Sequence, residues 1–317
     1  MIIATSTVNF AYLTGIWLET YERFKAAVKC GSRTIIVAPA LEKIEGYTYR
    51  DGEDPAEALK KAIAHCGEEV AYVDENTTFL HLEVIRRALP PGVVVKMANF
   101  KDMRAVKRED EVTKIKTAAE RIREVLNGLE LREGTTERRA AAAIYAALYE
   151  RGLRPGPVLV QFGVNTARPH QEPTDKRLQR GEAVVVDISA AHGGYYADLT
   201  ASFWHGDPPE GYREILHVVK KAQEAALAAA RPGARGSEVD KAAREAIERA
   251  GYGRYFIHRT GHGLGLEIHE KPDIAPNSSD VLTEGMVFTI EPGVYTPEFG
   301  VRLEVDVVMR KNGVEVL

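Results

Sequence analysis

Four carboxylates recur at matching places in two similar stretches of the chain. Residues 178–187 and 282–291 share one pattern, in which a Leu, two polar residues and a Gly precede a carboxylate six positions after the Gly. A second carboxylate follows each stretch beyond a segment with turn residues, so the sequence predicts two related halves, each with an acidic β-hairpin. The four carboxylates are Asp187 and Asp198 in the first half and Glu291 and Glu304 in the second.

The surroundings of these carboxylates favour a metal site. The strands that lead to Asp187 and Glu291 are nearly continuous apolar runs, so a carboxylate at the end of either strand loses part of its hydration. Four negative charges in one place require about two divalent cations or several buried Arg or Lys side chains. Only Arg302 lies close in sequence. One such carboxylate alone is better explained as a turn cap or surface ion pair, but the duplicated spacing favours metal ions.

Histidines supply the remaining candidate groups. A glycine-rich stretch at 261–265 holds His262 between two glycines and lacks the Lys-Ser/Thr ending of a phosphate-binding P-loop. Its glycines would let the backbone approach a site closely. His258 and His269 flank this stretch, and His170 stands farther upstream. An isolated histidine is more often structural, but three within twelve residues around glycines indicate a functional cluster.

This set of side chains predicts hydrolytic chemistry. One imidazole and four carboxylates form a hard, mostly oxygen ligand set, which suits a pair of Mn, Co, Fe or Zn ions rather than a structural thiolate zinc. Two such ions lower the pKa of a shared water and polarise a carbonyl group, which predicts attack by a metal-bridging hydroxide. Histidines that bind no ion can donate hydrogen bonds to the oxyanion and assist proton transfer.

The first hundred residues alternate between strand and helix signals, which predicts a small α/β domain. Pro90 and Pro91 end the second of its predicted helices. The predicted strands are 34–38, 70–74 and 93–96, and the predicted helices are 55–65 and 77–89.

A long amphipathic helix follows a charged stretch at 101–111. Its apolar residues from Val112 to Leu129 recur at three- and four-residue steps and form one face. We place the domain boundary at 105/106, although no Gly/Ser linker separates the halves and one large domain remains the alternative. Ser237 and Asp240 resemble a capping box. Further helices are predicted at 136–151, 212–230 and 237–250.

The overall composition argues against nucleic-acid and membrane partners. The net charge is −4, the pI is near 6.2, and the longest apolar runs are strand-sized. The N-terminus lacks a basic region followed by an apolar core. Two cysteines, Cys30 and Cys66, are too few for a disulfide framework or a zinc site. We therefore expect a cytoplasmic protein.

Five segments resemble the pita-bread-fold metallopeptidases, which include methionine aminopeptidase, prolidase and aminopeptidase P. The resemblance covers roughly residues 105–317 and is closest to the proline-directed branch, and residues 9–15 resemble part of a creatinase-type first domain. It implies an α/β (α+β) fold with a truncated creatinase-type domain at 1–105 and a pita-bread catalytic domain at 106–317, with duplicated β-hairpins and flanking helices. The segments are Val186-Asp187-Ile188-Ser189, Tyr196-Ala197-Asp198-Leu199-Thr200, His258-Arg259-Thr260-Gly261-His262-Gly263-Leu264-Gly265, Ile290-Glu291-Pro292-Gly293 and Gly300-Val301-Arg302-Leu303-Glu304.

The resemblance implies a metal role for five residues. Asp187 would chelate one divalent ion, and Asp198 and Glu304 would bridge two. His262 and Glu291 would complete the ligand shells, and Glu291 would also act as general base.

The resemblance further implies contacts with the substrate. His170 and His269 would contact the substrate and the tetrahedral intermediate. His258 is typical of the proline-directed branch, and Tyr295 and Arg302 match positions at or just behind its substrate site. Arg302 has the alternative of serving only as an ion-pair partner for the carboxylates.

The chain departs from the family pattern at two places. Val305 follows Glu304 where an acidic residue is usual, which removes a neighbouring carboxylate or shifts it to Asp306. The helix and strand that usually precede the segment at 9–15 are missing, so the first domain is expected to be trimmed.

The function that the resemblance implies is hydrolysis of the Xaa-Pro bond of dipeptides by a homodimer with two divalent metal ions per chain. An aminopeptidase that removes Xaa from longer Xaa-Pro peptides is the near alternative. A metal-free amidinohydrolase like creatinase is disfavoured because all five ligand positions are kept. A non-catalytic peptide-binding protein of the same fold is the remaining alternative.

Overall fold

The computed structural model describes all 317 residues, which divide into two compact units, Met1–Met103 and Arg104–Leu317. The boundary that the sequence predicts, at 105/106, falls two residues after this division. Every helix is too short or too polar to cross a lipid bilayer.

A six-stranded mixed sheet forms the centre of the first unit. Its strands are β1 (Ile2–Ala4), β2 (Ala26–Cys30), β3 (Arg33–Pro39), β4 (Tyr47–Tyr49), β5 (Val70–Asp74) and β6 (Val94–Ala98). Their order across the sheet is β4-β3-β2-β1-β5-β6, with β1-β2 and β2-β3 antiparallel and the other pairs parallel. The three predicted strands of this region correspond to β3, β5 and β6, while β1, β2 and β4 were not predicted.

Helices cover this sheet. They are α1 (Thr7–Thr14), α2 (Pro55–Ile63), α3 (Phe79–Ala88) and α4 (Phe100–Ala105). Helix α2 begins where the Asp54 side chain accepts a hydrogen bond from the Ala56 N–H and Pro55 supplies the fixed φ of a first helical turn. Both predicted helices are confirmed, with ends one or two residues shorter. The family-like segment at 9–15 folds as most of α1 with Gly15 as its left-handed cap.

Cys30 and Cys66 form a disulfide within the first unit. Their Cα atoms lie 5.5 Å apart although 36 positions separate them in sequence. One bond is not a disulfide framework, but the pairing itself was not predicted from the sequence. The pairing depends on where the end of β2 meets the segment after α2, which cysteine counting does not show.

The second unit contains ten strands in three sheets. The strands are β7 (Arg154–Phe162), β8 (Glu182–His192), β9 (Tyr195–His205), β10 (Gly261–Gly263), β11 (Glu270–Ile274), β12 (Val287–Ile290), β13 (Gly293–Tyr295), β14 (Gly300–Arg302), β15 (Val305–Arg310) and β16 (Gly313–Val316). The sheet orders are β7-β8-β9, β11-β10-β12-β15-β16 and β13-β14.

Four helices accompany these sheets. They are α5 (Glu109–Asn127), α6 (Glu137–Glu150), α7 (Glu210–Ala229) and α8 (Gly236–Arg249). The apolar face predicted for α5 packs on β8 and β9. The predicted capping box of Ser237 and Asp240 was wrong, because α8 begins one residue earlier. There Glu238 accepts a hydrogen bond of 2.6 Å from the Arg235 N–H, and Asp240 is a buried residue inside the helix.

The two predicted acidic hairpins are present but differ in regularity. Strands β8 and β9 form one continuous hairpin that turns at Gly193 and Gly194, both with positive φ. Asp187 therefore lies in the middle of β8, not at a strand end as expected, because the antiparallel pairing continues past it. In the second hairpin β12 pairs with β15 and β13 pairs with β14, but the two pairs are not continuous. Glu291 lies between β12 and β13, and Glu304 lies between β14 and β15.

The disulfide gives a stability prediction for the first unit. Replacing both cysteines with Ala should lower the free energy of unfolding by roughly 2–4 kcal/mol, because the bond restricts the unfolded chain over a long loop. Denaturant unfolding followed by Trp17 fluorescence in a Trp204→Phe background measures this change. Reductant should lower the free energy of unfolding of the parent to that of the Ala variant and should leave the value of the variant unchanged. A parent curve unaffected by reductant, with two thiols titratable, would contradict the prediction.

Candidate active site

The predicted carboxylates and histidines meet in one cavity of about 310 Å³. Nine of the ten predicted site residues line it, and the tenth, Tyr295, is bonded to two of them. The Tyr295 hydroxyl lies 2.8 Å from Arg302 Nη1 and 2.9 Å from His258 Nε2. The cavity is lined by Pro169, His170, Asp187, Asp198, His258, Arg259, His262, His269, Glu291, Arg302 and Glu304.

The first hairpin places its two carboxylates on one face. Asp187 pairs with Thr200 and Asp198 pairs with Ser189, so the strand period of two directs all four side chains to the same side of the sheet. The Ser189 hydroxyl donates a 2.9 Å hydrogen bond to Asp198 Oδ1. The Thr200 hydroxyl donates a 2.6 Å hydrogen bond to Glu304 Oε2, which links the first hairpin to the second.

Close backbone packing positions His262. A Cβ on Gly261 or on Gly263 would lie 2.0 Å from a carbonyl oxygen of a neighbouring strand, so only glycine fits on either side of the histidine. The His262 N–H donates to Thr289 Oγ1 at 3.0 Å, and the Thr289 hydroxyl in turn lies 3.3 Å from Glu291 Oε1. His262 Nε2 lies 3.3 Å from the same carboxylate oxygen.

The carboxylates are crowded and short of cations. Asp198 and Glu304 are buried, and their ligand atoms lie within 4.8 Å of one another and of a ring nitrogen of His262. Burial, together with the neighbouring carboxylates, raises the pKa of both groups well above their usual range. Burial also raises the pKa of Glu291 to about 7, with the charge of Asp187 adding to the effect. Divalent cations would remove this penalty, so the donor set fits a metal site.

Arg302 forms an ion pair with one of the four carboxylates. Its Nη2 lies 2.6 Å from Asp187 Oδ2. Its other donors bind the Tyr295 hydroxyl, the Thr200 hydroxyl at 3.1 Å and the Pro169 carbonyl oxygen at 3.4 Å. Each of the three guanidinium nitrogens thus has a partner, and Asp198 and Glu304 have hydroxyl partners.

His258 and His262 are held neutral by their surroundings. Burial lowers the pKa of His262 to about 3, with His269 adding to the effect, and burial together with Arg302 lowers the pKa of His258 to about 4. The rings of His262 and His269 meet edge to face with centroids 4.3 Å apart. A neutral imidazole can coordinate a cation or donate a hydrogen bond.

Several residues that sequence reasoning did not select support the site. Arg259 lines the cavity, and Asp306 accepts a 2.9 Å hydrogen bond from the Asp198 N–H. A neighbouring carboxylate is thus present at 306 rather than lost. The hydroxyls of Thr200 and Ser189 could have been found from strand alternation, since each is two positions from a selected carboxylate. Arg259 gave no comparable signal.

Comparisons with known proteins identify related sequences and structures. The sequence profile of metallopeptidase family M24 matches residues 113–311. An Xaa-Pro dipeptidase from Lactobacillus delbrueckii subsp. lactis is 37% identical, over 97% of this chain and 89% of the relative. The crystal structure of a dipeptidase from Pyrococcus horikoshii OT3 matches with a TM-score of 0.90 at 32% identity, covering 99% of this chain and 92% of that one.

A further structural match broadens the comparison. An X-Pro aminopeptidase from Thermotoga maritima MSB8 has a TM-score of 0.89 at 29% identity, covering 99% of this chain and 94% of that chain. The structural matches confirm the pita-bread fold that the sequence led us to expect.

The crowding of the carboxylates predicts the behaviour of Asp198→Asn. The neutral amide keeps the shape of the side chain and replaces a group whose charged form is destabilised by burial and by its neighbours, so the metal-free variant should melt at or above the parent temperature. Its affinity for Mn²⁺, measured by calorimetric titration after chelation, should fall by at least about 100-fold.

The matched control is Asp207→Asn, which changes an exposed carboxylate paired with Arg180 just beyond the end of β9. It should leave both melting temperature and Mn²⁺ affinity unchanged. Parent-like affinity in Asp198→Asn would remove this residue from the ligand set.

Proposed function

The chain belongs to metallopeptidase family M24, and from this premise we propose that it is an Xaa-Pro dipeptidase that works with two divalent metal ions. The observation that carries the proposal is the convergence of four carboxylates and four histidines in one cavity of about 310 Å³. A cavity of this size is at the low end for small ligands and suits a dipeptide. The relative from Lactobacillus delbrueckii subsp. lactis, which carries the name Xaa-Pro dipeptidase, supports the same choice.

Five residues would hold the metal ions. They are Asp187, Asp198, His262, Glu291 and Glu304, all of which line the cavity. When bound, a pair of Mn, Co, Fe or Zn ions would activate a water molecule and polarise the scissile carbonyl. The hydroxyls of Ser189 and Thr200 orient the carboxylates of Asp198 and Glu304, and the Asp306 carboxylate fixes the backbone behind Asp198.

The proton transfers fall to side chains of the cavity. Glu291 would accept a proton from the attacking water and deliver it to the proline nitrogen as the peptide bond breaks. His170 and His269 line the cavity and would donate hydrogen bonds to the oxyanion of the tetrahedral intermediate. Burial lowers the pKa of His269, which keeps this donor neutral at physiological pH.

Three hydrogen-bonded side chains would form and support the substrate-binding side of the cavity. His258 bonds the Tyr295 hydroxyl, and Tyr295 is bonded by Arg302, which is anchored to Asp187. Because Tyr295 is buried behind the residues that line the cavity, we propose that Arg302 and Tyr295 fix Asp187 and His258 in place, while His258 contacts the peptide. The substrate is a small peptide with proline in the second position.

An Xaa-Pro aminopeptidase is the second candidate, since the Thermotoga maritima X-Pro aminopeptidase matches nearly as well as the dipeptidase structure. We also propose a homodimer and a cytoplasmic location, as the sequence led us to expect. A cytoplasmic location requires the Cys30–Cys66 disulfide to persist in a reducing compartment, as disulfides do in intracellular proteins of hyperthermophiles.

Substrate length separates the candidates. With two equivalents of Mn²⁺ per chain, kcat/KM for Met-Pro should exceed that for a pentapeptide beginning with Met-Pro by about tenfold or more, because a small cavity excludes the longer chain. Met-Ala is the control for the proline requirement, and the chelated enzyme is the control for metal. Preference for the pentapeptide would indicate the aminopeptidase, and no turnover of either peptide would favour a non-catalytic binding role.

A further inference from the structure

We infer that Gln161 is a positioning residue for His170, because its buried amide fixes the turn that holds this histidine in the cavity. Gln161 lies on β7, is fully buried and pairs with Val185, two positions along β8 from Asp187. The strand period places it on the same sheet face as Asp187. The inference rests on the proposed function in one respect, namely that His170 contacts the substrate.

One side-chain nitrogen binds the backbone on both sides of His170. Gln161 Nε2 lies 3.1 Å from the Arg168 carbonyl oxygen, 3.3 Å from that of Pro169 and 3.0 Å from that of Gln171. The backbone at 168–171 thus curls around a single amide group. His170 is the one residue of this turn whose carbonyl is not bonded to the amide, and it lines the cavity.

The chemistry of the three partners fixes the orientation of the amide. All are carbonyl oxygens, which accept hydrogen bonds only, so the group that faces them must be the NH₂ end. The opposite atom, Gln161 Oε1, is buried and has no hydrogen-bond partner. A buried unsatisfied acceptor has a cost in free energy. Because the oxygen of the amide has no partner, the NH₂ group, which binds the three carbonyl oxygens, is the part of the Gln161 side chain that contributes to the structure.

A second anchor holds the rest of the loop independently. Glu137, at the first turn of α6, is fully buried and accepts hydrogen bonds from the Phe162 N–H at 2.7 Å and the Thr174 N–H at 2.8 Å. It also binds the Asn165 amide at 2.9 Å. Glu137 therefore fixes the two ends of the loop, and Gln161 fixes the turn in its middle. Loss of the Gln161 amide should loosen the turn and leave the fold intact.

The turn is also connected to the metal-binding face. Arg302 Nη1 lies 3.4 Å from the Pro169 carbonyl oxygen, and the same guanidinium binds Asp187. Gln161 and Arg302 thus both donate hydrogen bonds to the Pro169 carbonyl oxygen. A displaced turn would move His170 relative to the carboxylates, and a misplacement of about 1 Å can reduce a rate by about 100-fold.

A double-mutant cycle tests the inference on the metal-loaded, full-length enzyme. The variants are Gln161→Met, which keeps the volume and removes the donor, His170→Ala, and the combination, assayed on Met-Pro. Val160→Ala is the control, because Val160 is a fully buried neighbour on the opposite face of β7. Its side chain has no amide group that could bind the turn.

Gln161→Met alone should lower kcat by about tenfold or more with a smaller change in KM. In the His170→Ala background the same substitution should change kcat/KM less than twofold, because the histidine that it positions is gone. Val160→Ala should lower the melting temperature, and its effect on kcat/KM should be equal with and without His170. Additive effects of Gln161→Met and His170→Ala would overturn the inference.

A crystal structure of Gln161→Met supplies a readout that needs no activity. The turn at 168–171 should leave its path while the metal ligands keep theirs, and an unmoved turn would overturn the inference. The outcomes separate the two proposals. If His170→Ala retains parent activity, the proposed role of His170 in catalysis is wrong. The crystal structure of Gln161→Met still tests whether Gln161 fixes the backbone of the turn.

Discussion

Repulsion among buried carboxylates is the constraint on which the second unit depends. Asp187, Asp198, Glu291 and Glu304 reach one cavity from two hairpins that are distant in sequence, and only Asp187 has a cationic partner there. Burial of unpaired charge is strongly unfavourable, and the raised pKa values of the other three groups express this cost. The surrounding fold must therefore hold these side chains together, and bound protons relieve part of the repulsion until cations replace them.

Hydrogen bonds from neutral groups carry out that task. The hydroxyls of Ser189 and Thr200 each donate to one carboxylate, and Thr289 lies between the backbone of His262 and the side chain of Glu291. These donors fix orientation without neutralising charge. The arrangement keeps the negative potential available for metal ions, which a ring of arginines would have cancelled.

Much of the site could be predicted because it depends on local pattern. The duplicated Gly-to-carboxylate spacing and the glycines around His262 select most of the cavity residues, and the 3.6-residue period predicts α5.

The features that could not be predicted depend on contacts between residues that are distant in sequence. The Arg302–Asp187 pair joins residues 115 positions apart, the Cys30–Cys66 bond joins residues 36 apart, and the three carbonyl bonds of Gln161 follow from the path of a loop. Strand alternation alone would have predicted Thr200, and Pro292 is a local signal for the break between β12 and β13.

The central claim is that divalent cations relieve the crowding of the carboxylates, and linkage between metal binding and unfolding tests it most directly. A Trp17→Phe variant leaves Trp204 as the single tryptophan, so its fluorescence reports denaturant unfolding of the unit Arg104–Leu317. Metal-free protein is titrated with Mn²⁺ at constant ionic strength. The account predicts that the free energy of unfolding rises by about 1.4 kcal/mol per tenfold increase in free Mn²⁺ for each bound ion, hence about 2.8 kcal/mol for two. A free energy of unfolding that does not change with Mn²⁺ would contradict the account.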